Sequence, residues 1–292
     1  MPNVRTPQVL AFVNQKGGCG KTTTSVNLAG ALAARGERVL LVDLDPQAHA
    51  TMALGHAAEF PTVADVLLED ADVRRAIVEA PGKIHLLPSV PRLGRLEEVA
   101  EHELGPERRL SAALDLVADR YDHVLIDCPP RADGVLCANA LHACTYAVLV
   151  VETGAFALQG ALQALHILDD VGSNLGRTFD VRVVATMFDR RTRIGRELLI
   201  ALHARFGEAL FETAIRMSVR LREAPALGLP VQVLDPACRA ALDFAALAAE
   251  VAALAAHDRA EELAPGAAPR AHTTPTAPPI EVARPLITPR RS

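Results

Sequence analysis

The chain has 292 residues, of which 50% are hydrophobic and 22% charged, and its formal net charge at pH 7 is −5. This length accommodates one large α/β domain or two small ones, and the hydrophobic fraction suffices for a substantial core. The negative net charge argues against attraction of the whole protein to nucleic acid, so a DNA-binding surface would have to be a local basic patch.

The cysteines and the apolar runs indicate a reduced, cytoplasmic protein. An odd number of cysteines without C-x-x-C spacing argues against a zinc site or a disulfide framework. The first apolar run is too short for a signal peptide, and no later run is expected to reach the length of a membrane span. The five cysteines are Cys19, Cys128, Cys137, Cys144 and Cys238.

Apolar runs typical of buried parallel strands recur along the chain, and most are followed by a helical pattern. This alternation predicts an α/β fold with a doubly wound, mostly parallel sheet flanked by helices. Ligands of such sheets bind beyond the carboxyl ends of the strands. The runs are QVLAFVN, RVLLVDL, KIHLLPS, HVLIDCP, TYAVLVVE and VRVVATMF.

The first run leads into NQKGGCGKTTTSVNLAG, residues 14–30, which nearly matches the phosphate-binding pattern G-x-x-x-x-G-K-[ST]. Glycines at 17, 18 and 20 allow successive N–H groups to converge on an anion at the start of a helix. The pattern assigns Lys21 to the β and γ phosphates and the Thr22 hydroxyl to magnesium. The alternative is a glycine-rich turn without a ligand. The predicted nucleotide contacts are Gly17, Gly18, Cys19, Gly20, Lys21, Thr22 and Thr23.

Two further predicted strands end in acidic residues. In RVLLVDLDPQAHAT, Asp43 and Asp45 are two positions apart, so both can leave the strand on the same side; alternatively they only cap the following loop. In YDHVLIDCPP, a single acid, Asp127, ends the strand in the form of a Walker B box, which would hold the water shell of magnesium.

The segment from Lys16 to Thr23, KGGCGKTT, resembles the deviant Walker A box of the ParA/MinD family of P-loop ATPases. The D-x-D-P-Q box is similar to that of the ParA branch, as are VETGAFALQGALQAL and VRLREAPALGLPV. The resemblance extends from Gln8 to Leu254 and is greatest for the short, chromosomal, Soj-like partition proteins.

This resemblance implies roles for individual residues. Lys16 would reach across a dimer to the nucleotide of the partner, Asp43 would lie near magnesium, and Asp45 would orient the attacking water. An adenine pocket would lie near Met187 and the loop after Phe211. Three departures stand out: Cys19 replaces valine, Arg131 replaces serine, and IRMS at 215–218 replaces I-P-R-N, which puts base recognition by that last segment in doubt.

Arginines cluster in FDRRTRIGREL and in the segment that supplies DNA contacts in ParA proteins. Guanidinium groups on one dimer face would bind DNA phosphates without reading bases. The alternative is an ordinary solvated surface. The candidate DNA-binding residues are Arg190, Arg191, Arg193, Arg196, Arg220 and Arg222.

The carboxyl-terminal part of the sequence divides into a helix and a tail. Residues 237–263 predict an alanine-rich and leucine-rich helix that lacks the basic face of a membrane-binding helix. Residues 264–292 are rich in proline and predicted to be disordered, which leaves a single ParA-like domain over residues 1–263. The first predicted strand begins too early for a preceding helix-turn-helix domain, which argues against site-specific repression.

The sequence therefore predicts a magnesium-dependent ATPase, with ATP and Mg²⁺ as cofactors, that forms a homodimer on ATP. The resemblance implies a nucleoid-associated protein that binds double-stranded DNA nonspecifically and partitions chromosome or plasmid DNA with a ParB-type activator. Alternatives are an orphan ParA-like protein that positions a protein assembly, a MinD-like protein, and a metabolic P-loop enzyme such as a dethiobiotin synthetase-like ligase or a nitrogenase-type reductase.

Overall fold

The computed structural model describes residues 6–57, 61–100, 105–131, 134–154 and 156–262. Within these ranges seven strands form one sheet. The strands are β1 (Gln8–Val13), β2 (Val39–Asp43), β3 (Val78–Ala80), β4 (Ile84–Leu87), β5 (His123–Asp127), β6 (Tyr146–Glu152) and β7 (Asp180–Thr186).

The strand order across the sheet is β3-β4-β2-β5-β1-β6-β7. Every neighbouring pair is parallel except β3 and β4, which are antiparallel. The predicted doubly wound, mostly parallel sheet is therefore confirmed, and all six runs identified in the sequence form strands. The sequence analysis missed β3, a three-residue edge strand.

Helices connect the strands and cover the sheet. Among the described residues the α-helices are α1 (Lys21–Ala34), α2 (His49–Ala53), α3 (Val63–Glu69), α4 (Val73–Ala76), α5 (Arg95–Val99), α6 (Arg109–Asp115), α7 (Val135–Ala143), α8 (Ala157–Leu175), α9 (Arg193–Phe206), α10 (Arg220–Ala226), α11 (Val231–Leu234) and α12 (Arg239–Glu262).

The sheet has a hydrophobic core on each face, because alternate residues of a strand point to opposite sides. In β1, Val9, Ala11 and Val13 belong to one core, whereas Leu10 and Phe12 belong to the other. The first core also contains side chains of α3, α6, α7 and α8, and the second those of α1 and α12. Helices packed on both faces leave the edge formed by the strand ends open for a ligand.

Helix α12 lies on the second core, near the predicted bounds of 237–263. The expectation that no run reaches the length of a membrane span is wrong for α12. By length and composition alone, Arg239–Asp258 is long and apolar enough to cross a membrane. Burial accounts for this composition: Phe244, Leu247 and Val251 are each at most 1% exposed. The predicted disorder of residues 264–292 lies outside the described residues, and the domain boundary at 263 stays a prediction.

Two glycines bring the loop after α2 against the loop after α10. Gly55 and Gly228 both have positive φ, at +73° and +67°. A Cβ added to Gly228 would lie 2.7 Å from the Cα of Gly55, so the two backbones meet directly. The D-x-D-P-Q segment, which leads into α2, is therefore anchored close to α10.

Candidate nucleotide site

The predicted site residues converge where β1, β2 and β5 end. Phe12 of β1 pairs in register with Asp127 of β5, and Asp127 pairs in turn with Asp43 of β2. The glycine-rich loop continues directly from β1 into α1. A cleft of about 370 Å³ lies at this edge, and its walls include Gly17, Gly18, Gly20, Lys21, Thr22, Thr23, Asp45, Pro130 and Met187.

The loop between β1 and α1 has the backbone of an anion-binding turn. Gly18 and Gly20 have φ angles of +75° and +96°, which residues other than glycine rarely adopt. Helix α1 begins at Lys21, as predicted, so its free N–H groups lie at the end of the loop. Cys19, by contrast, is fully buried, and its carbonyl accepts a hydrogen bond of 2.8 Å from the Thr186 hydroxyl.

Lys21 is only 8% exposed, and its Nζ donates to the carbonyl oxygen of Asn14 over 3.0 Å. The Lys21 side chain therefore extends back along the loop that precedes it. An ammonium group close to a glycine-rich loop at the start of a helix is suited to bind a multiply charged anion.

Lys16 has a different environment, because its side chain is 62% exposed. Its Nζ lies 2.5 Å from Oε2 of Glu152, the last residue of β6. Glu152 was not identified from the sequence, which provides no local signal for a contact between residues 136 positions apart. In a single chain, Lys16 therefore forms an ion pair with Glu152 of its own subunit.

Asp43 is fully buried and held by three donors. Oδ2 accepts hydrogen bonds from the backbone N–H and the hydroxyl of Thr51, both over 2.7 Å, and Oδ1 accepts from the N–H of Asp45 over 3.2 Å. The Thr51 hydroxyl accepts from the N–H of Ser89, and the Ser89 hydroxyl donates to the carbonyl of Asp45. Thr51 and Ser89, which the sequence analysis missed, thus fix the segment that carries both aspartates.

Asp45 lines the cleft and is 7% exposed. Its Oδ1 accepts a hydrogen bond of 2.9 Å from the N–H of Gln47, so it does cap the following turn, as the alternative interpretation expected. The second carboxylate oxygen of Asp45, Oδ2, makes no hydrogen bond among the described residues. It can therefore accept a hydrogen bond from a group in the cleft.

Asp127 is fully buried, and neither carboxylate oxygen has a hydrogen-bond partner of normal geometry in the described ranges. Burial raises its pKa to about 8, with a further contribution from the neighbouring Asp43. Thr22 and Lys21 lie near enough to oppose part of that rise. Burial likewise raises the pKa of Asp43.

These features fit a hydrated magnesium ion. A buried carboxylate without a partner needs a compensating group, and magnesium is commonly held by one or two carboxylates together with phosphates and waters. A divalent cation would also favour the ionised form of both aspartates. Asp127, Asp43 and the Thr22 hydroxyl are the residues that would hold it.

A second cavity, of about 90 Å³, continues from the loop and is lined by Met187, the segment 215–218 and Arg222. Met187 has a φ of +55°, which is unusual for a residue with a side chain. A cavity therefore lies where the resemblance implied the adenine pocket. Arg216, at a departure from the family pattern, is held by Asp243 of α12 at 2.5 Å.

The candidate DNA-binding arginines are all exposed, but several are paired with carboxylates. Arg191 pairs with Asp189 at 2.8 Å and Arg193 with Glu197 at 2.6 Å. Arg220 pairs with Glu223 at 2.8 Å. Arg196 donates to a backbone carbonyl, whereas the guanidinium groups of Arg190 and Arg222 have no ion pair among the described residues.

The two arginine-bearing loops lie side by side. The N–H of Phe188 donates to Ile215 O over 3.0 Å, and the N–H of Met217 donates to Phe188 O over 3.1 Å. The loop before α9 and the loop before α10 therefore form one surface next to the Met187 cavity.

Comparison with known proteins identifies the family. A family model described as AAA domain matches residues 7–181. The sporulation initiation inhibitor protein Soj of Bacillus subtilis is 40% identical over 250 residues, which cover 84% of this chain and 98% of Soj. The chain belongs to the ParA/MinD family of P-loop ATPases. The chromosome partitioning protein ParA of Caulobacter vibrioides is 37% identical over 251 residues, covering 84% of this chain and 93% of that protein.

Solved structures of the family agree with the fold. The cobyrinic acid a,c-diamide synthase of Mycobacterium smegmatis, solved with an ATP analog and magnesium, has a TM-score of 0.74 and 30% identity, and the match covers 84% of this chain and 94% of that chain. The cell division ATPase MinD of Pyrococcus furiosus has a TM-score of 0.69 and 25% identity, covering 85% of this chain and 99% of that chain. The predicted family and fold are confirmed.

Proposed function

We propose that this protein is a magnesium-dependent ATPase that dimerises on ATP, binds DNA nonspecifically and partitions chromosome or plasmid DNA with a ParB-type activator. The observation that carries the proposal is the arrangement of two lysines and three aspartates around one glycine-rich loop, in a chain whose relatives include Soj and ParA along nearly their whole lengths.

The chemistry is in-line attack of water on the γ-phosphoryl group of ATP. Lys21 and the N–H groups of residues 17–22 bind the phosphates, and the free oxygen of Asp45 orients the water. Magnesium, when bound, neutralises charge on the β and γ phosphate oxygens. Thr22, Asp43 and Asp127 hold its site, and Met187 borders the pocket for the base.

Lys16 couples this chemistry to dimerisation. A cation donated to the nucleotide of a partner stabilises phosphate charge only when two subunits face each other, so bound ATP favours the dimer. The solvent exposure of Lys16, which directly precedes the cleft-lining Gly17, supports this role. Hydrolysis then weakens the dimer by removing the terminal phosphate.

The surface formed by the loops before α9 and α10 binds DNA phosphates in the dimer. Exposed arginines in the loop before α9 and in the first turns of α9 and α10 support nonspecific contact with the backbone of double-stranded DNA, with an affinity that falls steeply with salt. From this activity we infer that the protein is cytoplasmic and associates with the nucleoid. A ParB gene adjacent to the gene for this protein would favour DNA as the cargo, and an unrelated neighbour would favour a protein assembly.

Sedimentation of the purified protein with ATP or ADP, with and without nonspecific duplex DNA, tests nucleotide, dimer and DNA together. The wild-type protein should dimerise with ATP and sediment with DNA only then. Lys16→Ala should retain nucleotide binding and lose ATP-induced dimers, because Lys21 and the loop remain intact. Unchanged dimers in Lys16→Ala would exclude the role of Lys16 across the dimer.

A metabolic function is the second candidate, because one similar structure at 30% identity is described as a diamide synthase. An amide synthase uses ATP to activate a carboxylic acid and then needs an amine. ATP consumption that depends on a carboxylic acid and ammonia, and is indifferent to DNA, would favour this candidate over partition.

A further inference from the structure

We propose that Glu152 is a positioning residue that retains Lys16 within its own subunit and thereby opposes ATP-dependent dimerisation. The inference rests on the proposed function, in which Lys16 must reach the nucleotide of a second copy of this chain. Glu152 then competes with that nucleotide for the same ammonium group.

The backbone brings the two residues together. Lys16 follows β1 and Glu152 ends β6, the parallel neighbour of β1, with Val13 in register with Leu149. The side chain of Asn14 reinforces this connection, because it donates to Val150 O over 2.6 Å and accepts from the N–H of Lys16 over 2.9 Å. Both ends of the ion pair are therefore anchored to the same two strands.

The pair is specific as well as accessible. Within the described ranges, Lys16 has no other carboxylate partner and Glu152 has no other cationic partner. The Glu152 side chain is 30% exposed and that of Lys16 is 62% exposed, so water screens the interaction and the pair can open. It is a weak restraint on Lys16 that a strongly charged phosphate can overcome.

The expected size of the effect follows from this exposure. An exposed ion pair changes an equilibrium by roughly 1.4- to 5-fold. A symmetric dimer must open two such pairs, one from each subunit, so the dimerisation constant changes by the square of that factor. Loss of the Glu152 charge should therefore strengthen dimerisation by about 2- to 30-fold.

The test measures dimerisation constants by sedimentation with a non-hydrolysable ATP analogue and with ADP. Glu152→Gln should dimerise about 2- to 30-fold more tightly than wild type with the analogue, and Glu152→Asp should retain much of the wild-type behaviour. Glu69→Gln is the matched control, because Glu69, the last residue of α3, forms an exposed ion pair with Arg92 outside the glycine-rich loop. It should dimerise like wild type.

A Lys16→Ala/Glu152→Gln double variant separates the inference from the proposed function. If Glu152 acts through Lys16, the double variant should dimerise no better than Lys16→Ala alone. Weaker or unchanged dimerisation of Glu152→Gln, with Lys16→Ala still defective, would overturn the role of Glu152 and leave the proposed function standing. Normal dimers in Lys16→Ala would instead overturn the function from which the inference starts. Thermal unfolding without nucleotide reports any loss of fold.

Discussion

Thr51 lies at the centre of the network that fixes the two aspartates of the D-x-D-P-Q box. Its hydroxyl donates to Asp43 and accepts from the N–H of Ser89, and both Thr51 and Ser89 are 1% exposed. Because no water replaces a lost partner at such depth, the network has little tolerance for an apolar substitute.

Thr51→Val retains the shape of the side chain but removes its hydroxyl. The free energy of unfolding should fall by about 1–3 kcal/mol, because the Ser89 N–H loses its acceptor and Asp43 loses one donor. The turnover number for ATP should fall more than ATP affinity. Urea unfolding and steady-state kinetics measure the two effects, and Thr51→Ser, which retains the hydroxyl, should behave almost like wild type. Equal stability of Thr51→Val and wild type would contradict the network.

Asp45 caps a turn and, in the proposed function, orients the attacking water, and two substitutions separate these roles. Asp45→Asn retains an acceptor for the N–H of Gln47, whereas Asp45→Ala removes it. Both should slow ATP hydrolysis strongly and prolong the ATP dimer, because neither supplies a carboxylate to orient water. Phosphate release and sedimentation measure these outcomes. Rapid turnover in Asp45→Asn would remove the carboxylate from the chemistry.

Sequence reasoning identified the site residues whose signal is local. Lys21 and Asp127 occupy fixed positions in short motifs, and their environments follow from the loop and the strand that carry them. Ser89 and Glu152 are different, because each contacts a site residue that is 44 or 136 positions away. Their contacts depend on which strands are neighbours, and that order is a property of the whole sheet.

At the scale of elements, the loop before α9 and the helices α9 and α10 carry more negative charge than the arginine cluster alone suggests. Asp189, Glu197 and Glu223 each pair with one of the candidate DNA-binding arginines. If the proposed DNA surface is correct, these carboxylates compete with DNA phosphates for the same guanidinium groups. The net affinity of the surface for DNA therefore depends on both sets of residues.

Arg191→Glu combined with Arg220→Glu should abolish DNA retention by the ATP dimer without changing nucleotide affinity. The substitutions replace two attractive charges with repulsive ones at adjacent loops. Glu223→Gln is the opposite test, since it removes one of the two carboxylates that pair with Arg220, the other being Asp235, and should strengthen DNA binding. Cosedimentation at several salt concentrations measures both, and undiminished retention in the double variant would place the DNA surface elsewhere.

The elements themselves were predictable where hydrophobic runs were long. The six predicted strands and the helix near residues 239–262 all have apolar patterns that are long enough to be recognised in the sequence. Strand β3 has only the sequence VEA, and its pairing with β4 arises from the turn at Pro81–Lys83 and the sheet edge beside it. The short helices α3 to α5 likewise depend on packing against the first core, since helices of so few residues have little intrinsic stability.

At the scale of the molecule, stability depends on two cores joined by one sheet. Phe244 of α12 is fully buried in the second core, whereas Leu242 on the same helix is 56% exposed. Removal of the buried ring leaves a cavity in the second core.

Phe244→Ala should lower the free energy of unfolding by about 3–5 kcal/mol. Leu242→Ala is the matched control, and it should change stability by less than about 0.5 kcal/mol because its side chain already contacts water. Urea denaturation followed by circular dichroism measures both variants. Similar losses in the two would mean that α12 does not pack on the sheet through Phe244.

The direct backbone contact between Gly55 and Gly228 joins the segment that carries the two aspartates to the helix that carries Arg220 and Arg222. Since neither glycine has a side chain that could rotate, a displacement of the loop after α2 pushes directly on the loop after α10. In Gly228→Ala, the added methyl group would force the two backbones apart. A single methyl group at this contact would thus displace the aspartate segment and α10 relative to each other.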